Sequence, residues 1–279
     1  MIVHLVDGTY ELFRHFYGLR RFKKTDPPLG AVAGVLGSVT RMLEDGATHI
    51  GVATDHVIES FRNSLWSDYK TSAGVERALM AQFQPLEEVL LAMGVTVWPM
   101  VELEADDALA SAAYIAGRDE RVEKICIWTP DKDLAQCVVG DRVVQVDGRR
   151  GVIRDEPGVQ AKFGVAPKYI PDYLALVGDS ADGYPGIPGW GSKTAARFIE
   201  RYGPIEDFPA DVLSENMANA ILFKDLATLR IDAPLFDDVD ELRWRGPMSS
   251  FDSVAKQLGD TRLKQRIQKL VGRQKEEQQ

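Results

Sequence analysis

The chain has 279 residues with a hydrophobic share of 45% and a charged share of 27%, which are values of a folded globular protein and exclude a disordered or fibrous one. Its formal net charge of −9 argues against a partner held by a broadly basic surface. No apolar run approaches the roughly 18–20 residues of a membrane helix, no signal peptide opens the chain, and two cysteines cannot form a disulfide framework, so we expect a cytoplasmic protein with no membrane partner.

Five apolar runs in the first 150 residues are typical of buried strands. They lie at residues 2–6, 49–54, 95–98, 124–129 and 143–146. Helical patterns separate them, and this alternation predicts a parallel sheet covered on both faces. From about residue 165 only helical patterns follow, at residues 168–177, 192–202, 214–227 and 251–268. We therefore predict an α/β domain over residues 1–165 and a smaller helical domain over residues 166–279.

Acidic residues follow three of the predicted strands. Asp7 and Asp55 end the first and second strands, and Asp131 and Asp133 come just after the fourth. Ligands of an open α/β sheet bind outside the carboxyl ends of its strands. We therefore expect these carboxylates to meet at one edge of the sheet.

Two further acidic groups fit the same site. Glu104, Asp106 and Asp107 begin a predicted helix, and Asp179 and Asp182 follow another. Glu104 and Asp107 are three residues apart and can share a helix face, whereas spacing alone does not place Asp106 there. Setting all nine carboxylates aside leaves 33 acidic residues, equal to the 33 basic residues. The acid excess can thus be assigned to one site.

Carboxylates that crowd together raise one another's pKa, a cost that bound cations remove. Oxygen ligands without nearby His or Cys select Mg²⁺ or Mn²⁺. Two such ions about 3.5–4 Å apart can activate a water and stabilise the leaving oxygen of a phosphodiester. Bound metals would also reverse the local charge, which is compatible with a polyanionic substrate.

A glycine-rich stretch at residues 186–196 precedes a helical pattern. Its glycines permit a tight turn, and free N–H groups at the helix start, with Lys193, can hold a phosphate. The spacing is not that of a Walker loop, and no strand precedes it. A helix-hairpin-helix that grips the DNA backbone without reading its sequence fits better, with a purely structural turn as the alternative.

Together these residues resemble the 5′-nuclease family, which comprises the 5′→3′ exonuclease domain of bacterial DNA polymerase I, its free-standing relatives and the flap endonucleases. Each motif alone is weak, but the motifs together, in this order and spacing, are highly specific. They are Leu5-Val6-Asp7-Gly8, Asp55 with Ser60-Phe61-Arg62, Tyr69-Lys70, Glu104-Ala105-Asp106-Asp107, Thr129-Pro130-Asp131-Lys132-Asp133-Leu134, Gly178-Asp179-Ser180-Ala181-Asp182, and Pro185-Gly186-Ile187-Pro188-Gly189-Trp190-Gly191-Ser192-Lys193-Thr194-Ala195.

The resemblance implies a PIN-like domain, with a central parallel sheet flanked by helices, and a smaller all-helical domain with a helix-three-turn-helix. It implies a 5′→3′ exonuclease and 5′-flap endonuclease that hydrolyses DNA, with RNA strands of hybrids as a further substrate, by two-metal activation of water. Two Mg²⁺ ions per active site, replaceable by Mn²⁺, and a K⁺ ion at the hairpin are implied cofactors. The implied partners are DNA with 5′ ends, flaps or single-strand/duplex junctions, and a functional link to a DNA polymerase. We expect a monomer.

The resemblance also implies roles for individual residues. All nine carboxylates would bind metal, and Lys70 and Arg62 would offset charge on the scissile phosphate. A helical arch over residues 67–84 would pass the 5′ single strand, and the helix-hairpin-helix would span residues 178–202. The implied DNA-binding residues are Arg14, Arg62, Tyr69, Lys70, Arg77, Gly186, Gly189, Gly191, Ser192, Lys193 and Thr194. The chain departs from the family pattern at Ala73, Gly183 and Trp190.

Three other functions are open to such a sequence. A non-catalytic DNA-binding paralogue would have lost metal carboxylates, and none is lost here. An RNA nuclease of the wider PIN group is usually shorter and lacks a module like residues 178–202. A haloacid-dehalogenase-type phosphatase needs a nucleophilic aspartate where this chain has Leu5.

Overall fold

A computed structural model describes residues 1–22, 27–258 and 261–277. The remaining residues, which include the last two of the predicted helical domain, lie outside the described chain. The strands within the described ranges are β1 (Ile2–Asp7), β2 (His49–Asp55), β3 (Thr96–Met100), β4 (Lys124–Trp128), β5 (Val143–Asp147) and β6 (Val152–Arg154). The α-helices are α1 (Gly8–Phe22), α2 (Gly30–Glu44), α3 (Arg62–Leu65), α4 (Arg77–Met80), α5 (Phe83–Ala92), α6 (Ala105–Gly117), α7 (Glu156–Phe163), α8 (Ile170–Val177), α9 (Ser192–Tyr202), α10 (Ala210–Leu213), α11 (Met217–Ala227), α12 (Phe251–Gln257) and α13 (Thr261–Glu277).

The strands form one sheet in the order β3-β2-β1-β4-β5-β6. All neighbours are parallel except β6, which runs antiparallel to β5. The predicted parallel sheet is therefore confirmed, and β6 is an addition to it. Three residues are too few to give a periodic signal, and Ile153 in β6 is 65% exposed. Because β1 lies between β2 and β4, the carboxyl ends of these three strands are adjacent.

Helices cover both faces of the sheet. Alternate residues of a strand point to opposite faces, and Leu5 and Val6 of β1 accordingly join different cores. Val6 belongs to the core that contains Leu36 of α2 and Leu90 of α5. Leu5 belongs to the core of the alanine-rich α6, whose small side chains allow helix and sheet to approach closely.

A third core forms the helical domain, built mainly from α8, α9 and α11. From Leu229 onward the chain returns to the α/β domain, where Leu229 packs beside α6 and Ile267 of α13 joins the core of α2. The prediction that residues 166–279 form one helical domain therefore needs correction at its C-terminal end. The predicted helix at 251–268 is also two helices, α12 and α13.

The predicted helical arch at residues 67–84 has little helix. Apart from the start of α5, its only described helix is the four-residue α4. Leu79 is fully buried, and the Gln82 side chain accepts hydrogen bonds from the N–H groups of Ala31 and Val32. These contacts fasten the segment to the start of α2. Across the described ranges, no helix is both long and apolar enough to cross a membrane.

Candidate metal centre

Backbone and hydroxyl donors fix the strand-end carboxylates. Asp7 Oδ1 accepts a hydrogen bond from the N–H of Tyr10 at 2.8 Å, and Oδ2 accepts one from the Thr129 hydroxyl at 2.9 Å. Asp55 Oδ1 accepts one from the N–H of Ala105, at the start of α6, at 2.8 Å. The ends of β1, β2 and β4 thus hold their side chains at one edge, as the sequence predicts.

A second carboxylate group joins the two domains. Oxygens of Asp133, Asp179 and Asp182 lie within 4.8 Å of one another, and all three residues are buried. Asp133 Oδ1 has no hydrogen-bond partner within the described ranges of the chain. A buried acceptor without a partner is costly, and a cation or water would satisfy it.

The electrostatics of both groups favour a bound cation. Burial, followed by the charges of Asp55 and Asp131, raises the pKa of Asp7 to about 7. Burial and neighbouring carboxylates also raise the pKa of Asp106 and of Asp133 well above the ordinary range. Carboxylates in this state release their protons readily only when positive charge is supplied. An all-oxygen donor set with an unpaired buried oxygen therefore fits a hard divalent cation.

Two lysines neutralise part of the cluster. Lys70 Nζ lies 2.7 Å from Glu104 Oε2 and 3.2 Å from Asp182 Oδ1, and Lys132 Nζ lies 2.6 Å from Asp179 Oδ2. Burial alone would raise the pKa of Glu104, but Lys70 and Arg62 lower it overall. Lys70 is 27% exposed, so it can also face a substrate.

Asp107 and Arg62 form a buried ion pair behind Glu104, whose carboxylate lies 3.2 Å from Arg62 Nη1. Arg62 is 1% exposed and Asp107 is fully buried, and two hydrogen bonds of 2.7 Å join them. The N–H groups of Glu104 and Arg230 donate to the two remaining positions of the Asp107 carboxylate. A carboxylate offers about four lone-pair sites, so none is left for a metal. The expectations that Asp107 binds metal and that Arg62 faces the substrate are therefore corrected.

The other residues predicted to bind DNA include both buried and exposed side chains. Tyr69 is 3% exposed and its hydroxyl donates to Glu104 at 3.3 Å, so it supports the site from below the surface. Arg77 is exposed on α4. Arg14 pairs with Glu11 and lines a pocket of about 380 Å³ with Arg41, next to the carboxyl ends of β1 and β4.

The glycine-rich hairpin presents only part of its predicted set. Gly189, Gly191, Ser192 and Lys193 are exposed, and Thr194 is half-buried in the first turn of α9. Gly186 is buried instead, and its backbone lies so close to Gly178 that a Cβ would be 2.4 Å from the Gly178 nitrogen. Its role is close packing of the hairpin rather than contact with a ligand.

Two of the departures from the family pattern have a structural cause. Gly183 has a φ of +87°, and a Cβ at this position would lie 2.0 Å from the Asp68 carbonyl oxygen, so no larger residue fits. Trp190 stacks on Phe208 at 6.1 Å and packs edge-on against Phe198 at 4.9 Å, which braces the hairpin. Ala73 is simply exposed.

Sequence reasoning missed several residues beside the site. Arg197 and Arg201 are exposed on α9, four and eight residues after Lys193, and this helical spacing was a readable signal. Asp147 ends β5 as Asp7 ends β1, yet its Oδ1 accepts from the N–H groups of Arg149 and Arg150 and so stabilises a turn. The hydroxyls of Ser60 and Thr129 donate hydrogen bonds to Glu104 and Asp7, but no pattern in the sequence marks these two residues as part of the site.

The chain matches two family models in succession over residues 2–250. Residues 2–164 match the N-terminal resolvase-like domain of 5′-3′ exonucleases, and residues 165–250 match their C-terminal SAM fold. A 5′-3′ exonuclease of Buchnera aphidicola subsp. Baizongia pistaciae is 34% identical over 206 residues, which cover 73% of this chain and 67% of that protein. DNA polymerase I of Rhizobium leguminosarum is 33% identical over 260 residues, covering 85% of this chain and 25% of the polymerase. The chain thus spans about a quarter of such polymerases.

Solved structures share the fold. T5 5′-exonuclease with bound divalent zinc ions superposes with a TM-score of 0.64 at 18% identity, covering 92% of this chain and 98% of that one. The catalytic core of Rad2 in complex with DNA substrate gives 0.61 at 15% identity, covering 92% and 88%. The predicted α/β architecture with a small helical domain is therefore confirmed. The chain belongs to the 5′-3′ exonuclease family.

Proposed function

We propose that this chain is a Mg²⁺-dependent nuclease that hydrolyses DNA phosphodiesters as a 5′→3′ exonuclease and 5′-flap endonuclease. The observation that carries the proposal is the buried carboxylate group of Asp133, Asp179 and Asp182 beside the strand-end aspartates. Its unpaired oxygen and the raised pKa values of Asp133 and Asp182 call for a divalent cation. The T5 and Rad2 structures, with metal ions and with DNA, support the same chemistry.

Two carboxylate groups would hold the metal ions. The first is made of Asp7, Asp55, Asp106 and Asp131, and the second of Asp133, Asp179 and Asp182. Glu104 would join the first group only through an oxygen that Lys70 releases, because Ser60, Tyr69, Arg62 and Lys70 all contact its carboxylate. When bound, such ions polarise a phosphoryl oxygen and lower the pKa of a water. Mn²⁺ would substitute for Mg²⁺, since both prefer oxygen ligands.

The chain's own residues position the substrate. Lys70 lies between Glu104 and Asp182 and would offset charge on the scissile phosphate. The Arg62–Asp107 pair would act indirectly, because Asp107 holds the N–H of Glu104 and Arg62 lies 3.2 Å from the Glu104 carboxylate. The exposed hairpin with Lys193 would hold the duplex backbone, where carbonyl groups would also take K⁺.

The preferred substrates would be 5′ ends, flaps and single-strand/duplex junctions of DNA. A monomer working in the cytoplasm alongside a DNA polymerase remains the expectation from the sequence. Cleavage of RNA strands in hybrids belongs to the same proposal, because the chemistry acts on the phosphodiester.

The test is a cleavage assay on a 5′-labelled flap duplex with Mg²⁺ and with EDTA, with single-stranded DNA as a control. Asp131→Asn removes an exposed carboxylate of the first group, and Asp141→Asn is the matched control before β5, at the opposite edge of the sheet. Since losing a supporting partner of a metal ligand costs 10–100-fold, losing a ligand should cost at least about 100-fold. Asp141→Asn should cut normally.

Different outcomes separate the alternatives. Duplex binding without cutting under any divalent ion would support a non-catalytic DNA-binding paralogue. Cutting of an all-RNA flap in preference to DNA would support an RNA nuclease. Equal activity of Asp131→Asn and the unaltered chain would reject the assignment of the first metal group.

A further inference from the structure

An apolar groove lies between α6 and the start of β5. Its volume of about 380 Å³ is within the range of ligand-binding clefts. Tyr114, Val139 and Ile231 line it and are 49%, 60% and 47% exposed. Single exposed apolar side chains are common on protein surfaces, but three that line one cavity form a patch, and such patches mark interaction sites.

Both parts of the chain build the groove. Residues of α6 and β5 supply part of its lining, and Leu229 and Ile231, where the chain returns from the helical domain, supply more of it. Gln136 fixes this junction, since its Nε2 donates to the Ala227 carbonyl at 3.0 Å and its Oε1 accepts from the N–H of Leu229 at 3.0 Å. The groove is therefore preformed, which lowers the entropy cost of filling it.

The groove lies toward the edge of the sheet opposite the metal centre. Arg142 and Val143, which line it, precede and begin β5, whereas the carboxylates gather at the carboxyl ends of the parallel strands. Gly117 likewise ends α6, whose first turn carries Asp106. A partner seated here would leave the metal edge open.

Two guanidinium groups line the groove without a paired carboxylate among the residues that the structure describes. Arg118 Cζ lies 5.8 Å from the centroid of the Tyr114 ring. Arg142 donates from Nε to the Val122 carbonyl at 3.2 Å and from Nη2 to the Asp119 carbonyl at 3.0 Å. These contacts orient both cations but leave their charges unmatched, although the whole chain has a net charge of −9.

The charges around these arginines favour a single carboxylate over a polyanion. Guanidinium groups bind carboxylates and phosphates in the same bidentate way. The Asp119 carboxylate, however, is already paired with Arg121 at 2.6 Å, and Asp141 is exposed next to Arg142 in the chain. These two negative charges would repel the continuous phosphates of a nucleic acid, whereas one carboxylate can pair with one arginine.

We propose that this groove binds a short peptide segment of a protein partner, in which a large apolar side chain stands next to an acidic residue. The apolar side chain packs against Tyr114, Val139 and Ile231, and the carboxylate pairs with Arg118 or Arg142. Tyrosine and arginine are the residue types that most often anchor protein interfaces. The inference is independent of the proposed function, since it uses none of the metal-binding residues.

The test selects a displayed library of random linear peptides on the unaltered full-length chain and measures the binding of the enriched peptides by fluorescence polarisation. We expect these peptides to share an acidic residue next to Leu, Ile, Phe or Trp. Tyr114→Ser and Arg118→Glu should each weaken binding at least about 10-fold, because anchor residues carry most of the binding energy. The effect of Arg118→Glu should shrink at high salt, which screens exposed charges.

Leu91→Ser and Arg245→Glu are the matched controls, because both side chains are exposed and neither lines the groove. Both should bind the enriched peptides as the unaltered chain does, and equal Tm values would show that all four variants keep the fold. If Tyr114→Ser does not fold, the exposed Arg118→Glu carries the test.

Three results would overturn the proposal. The first is a selection that enriches no peptides with an acidic residue beside an apolar one, and the second is equal binding of the enriched peptides by every variant. The third is a chain that self-associates until Tyr114→Ser is introduced, which would make the occupant a second copy of this chain. Flap cleavage is measured separately, so each of these results would leave the proposed nuclease untouched.

Discussion

Asp106 and Asp107 are neighbours in the chain with opposite surroundings. The pKa of Asp106 is raised by burial and by the charges of Asp131 and Asp7, so it belongs to the cluster. Asp107 is saturated by four N–H donors, two of them from Arg62. The sequence identified the acidic segment, but its spacing argument favoured Asp107 over Asp106. The spacing argument was wrong for two reasons. Glu104 precedes α6 and so does not share a helix face with Asp107, and the Arg62 guanidinium, 45 residues earlier in the chain, binds the Asp107 carboxylate.

Substitution by asparagine should separate the two carboxylates. Asp106→Asn removes a charge from a crowded group, so in EDTA its Tm should rise or stay equal while Mn²⁺ binding weakens. Asp107→Asn removes the nearer of the two carboxylates that pair with the buried Arg62 guanidinium and leaves only Glu104 at 3.2 Å. Breaking such a buried pair costs about 3–5 kcal/mol, or roughly 10 °C in Tm. Thermal unfolding with EDTA and with Mn²⁺ measures both. A stable Asp107→Asn chain that no longer binds Mn²⁺ would restore Asp107 as a ligand.

At the scale of elements, local signals were sufficient where the contacts are local. The helix predicted at residues 192–202 is α9 to the residue, because a turn of glycines starts it and Gly203 ends it. The segment at 67–84 depends on distant partners instead. Tyr69 reaches Glu104, and Gln82 bonds the start of α2. The helical arch at this segment was implied by the family resemblance, and contacts of this kind leave no periodic trace in the sequence that could have shown how little of it is helical.

The hairpin and α9 should act as one phosphate-binding element. Lys193, Arg197 and Arg201 are exposed at four-residue spacing, so they lie along one side of the helix. Lys193→Ala should weaken duplex binding and lower the slope of log affinity against log salt by about 1. Lys124→Ala, at the opposite edge of the sheet, is the control and should change neither. Equal salt slopes for both variants would exclude the hairpin as a phosphate clamp.

At the scale of the whole molecule, the order of the strands brings negatively charged side chains together at the carboxyl ends of the sheet. The order β2-β1-β4 brings strand-end aspartates together, and the helical domain adds Asp179 and Asp182 from across the domain interface. This edge was predictable because parallel strands end on the same side. The return of the chain to the α/β domain after residue 228 was not predictable, because the sequence does not reveal which core an apolar residue such as Leu229 joins.

The crowded carboxylates should make the stability of the metal-free chain fall as pH rises. Asp7 has a pKa of about 7 in the folded chain against an ordinary value of 3.8, so the folded state holds its proton more tightly. The stabilisation is fully present below about pH 4 and is lost as pH rises through about 7. Glu11 and Glu104 have lowered pKa values and act only at more acidic pH. Burial lowers the pKa of His4 and of His49 from 6.5, which makes stability rise with pH in the same window, so the Asp7→Asn variant is needed to isolate the carboxylates.

In EDTA, Tm should therefore fall between about pH 5 and about pH 8, and Asp7→Asn, which cannot titrate, should fall less. Excess Mg²⁺ should reverse the trend, because a cation binds the deprotonated carboxylates and stabilises the folded state by mass action. The difference in Tm between Mg²⁺ and EDTA should thus grow with pH. Calorimetry across this window measures it. A Tm in EDTA that rises with pH would mean that these carboxylates are not strained by one another, and the case for a cation at this edge would lose its electrostatic basis.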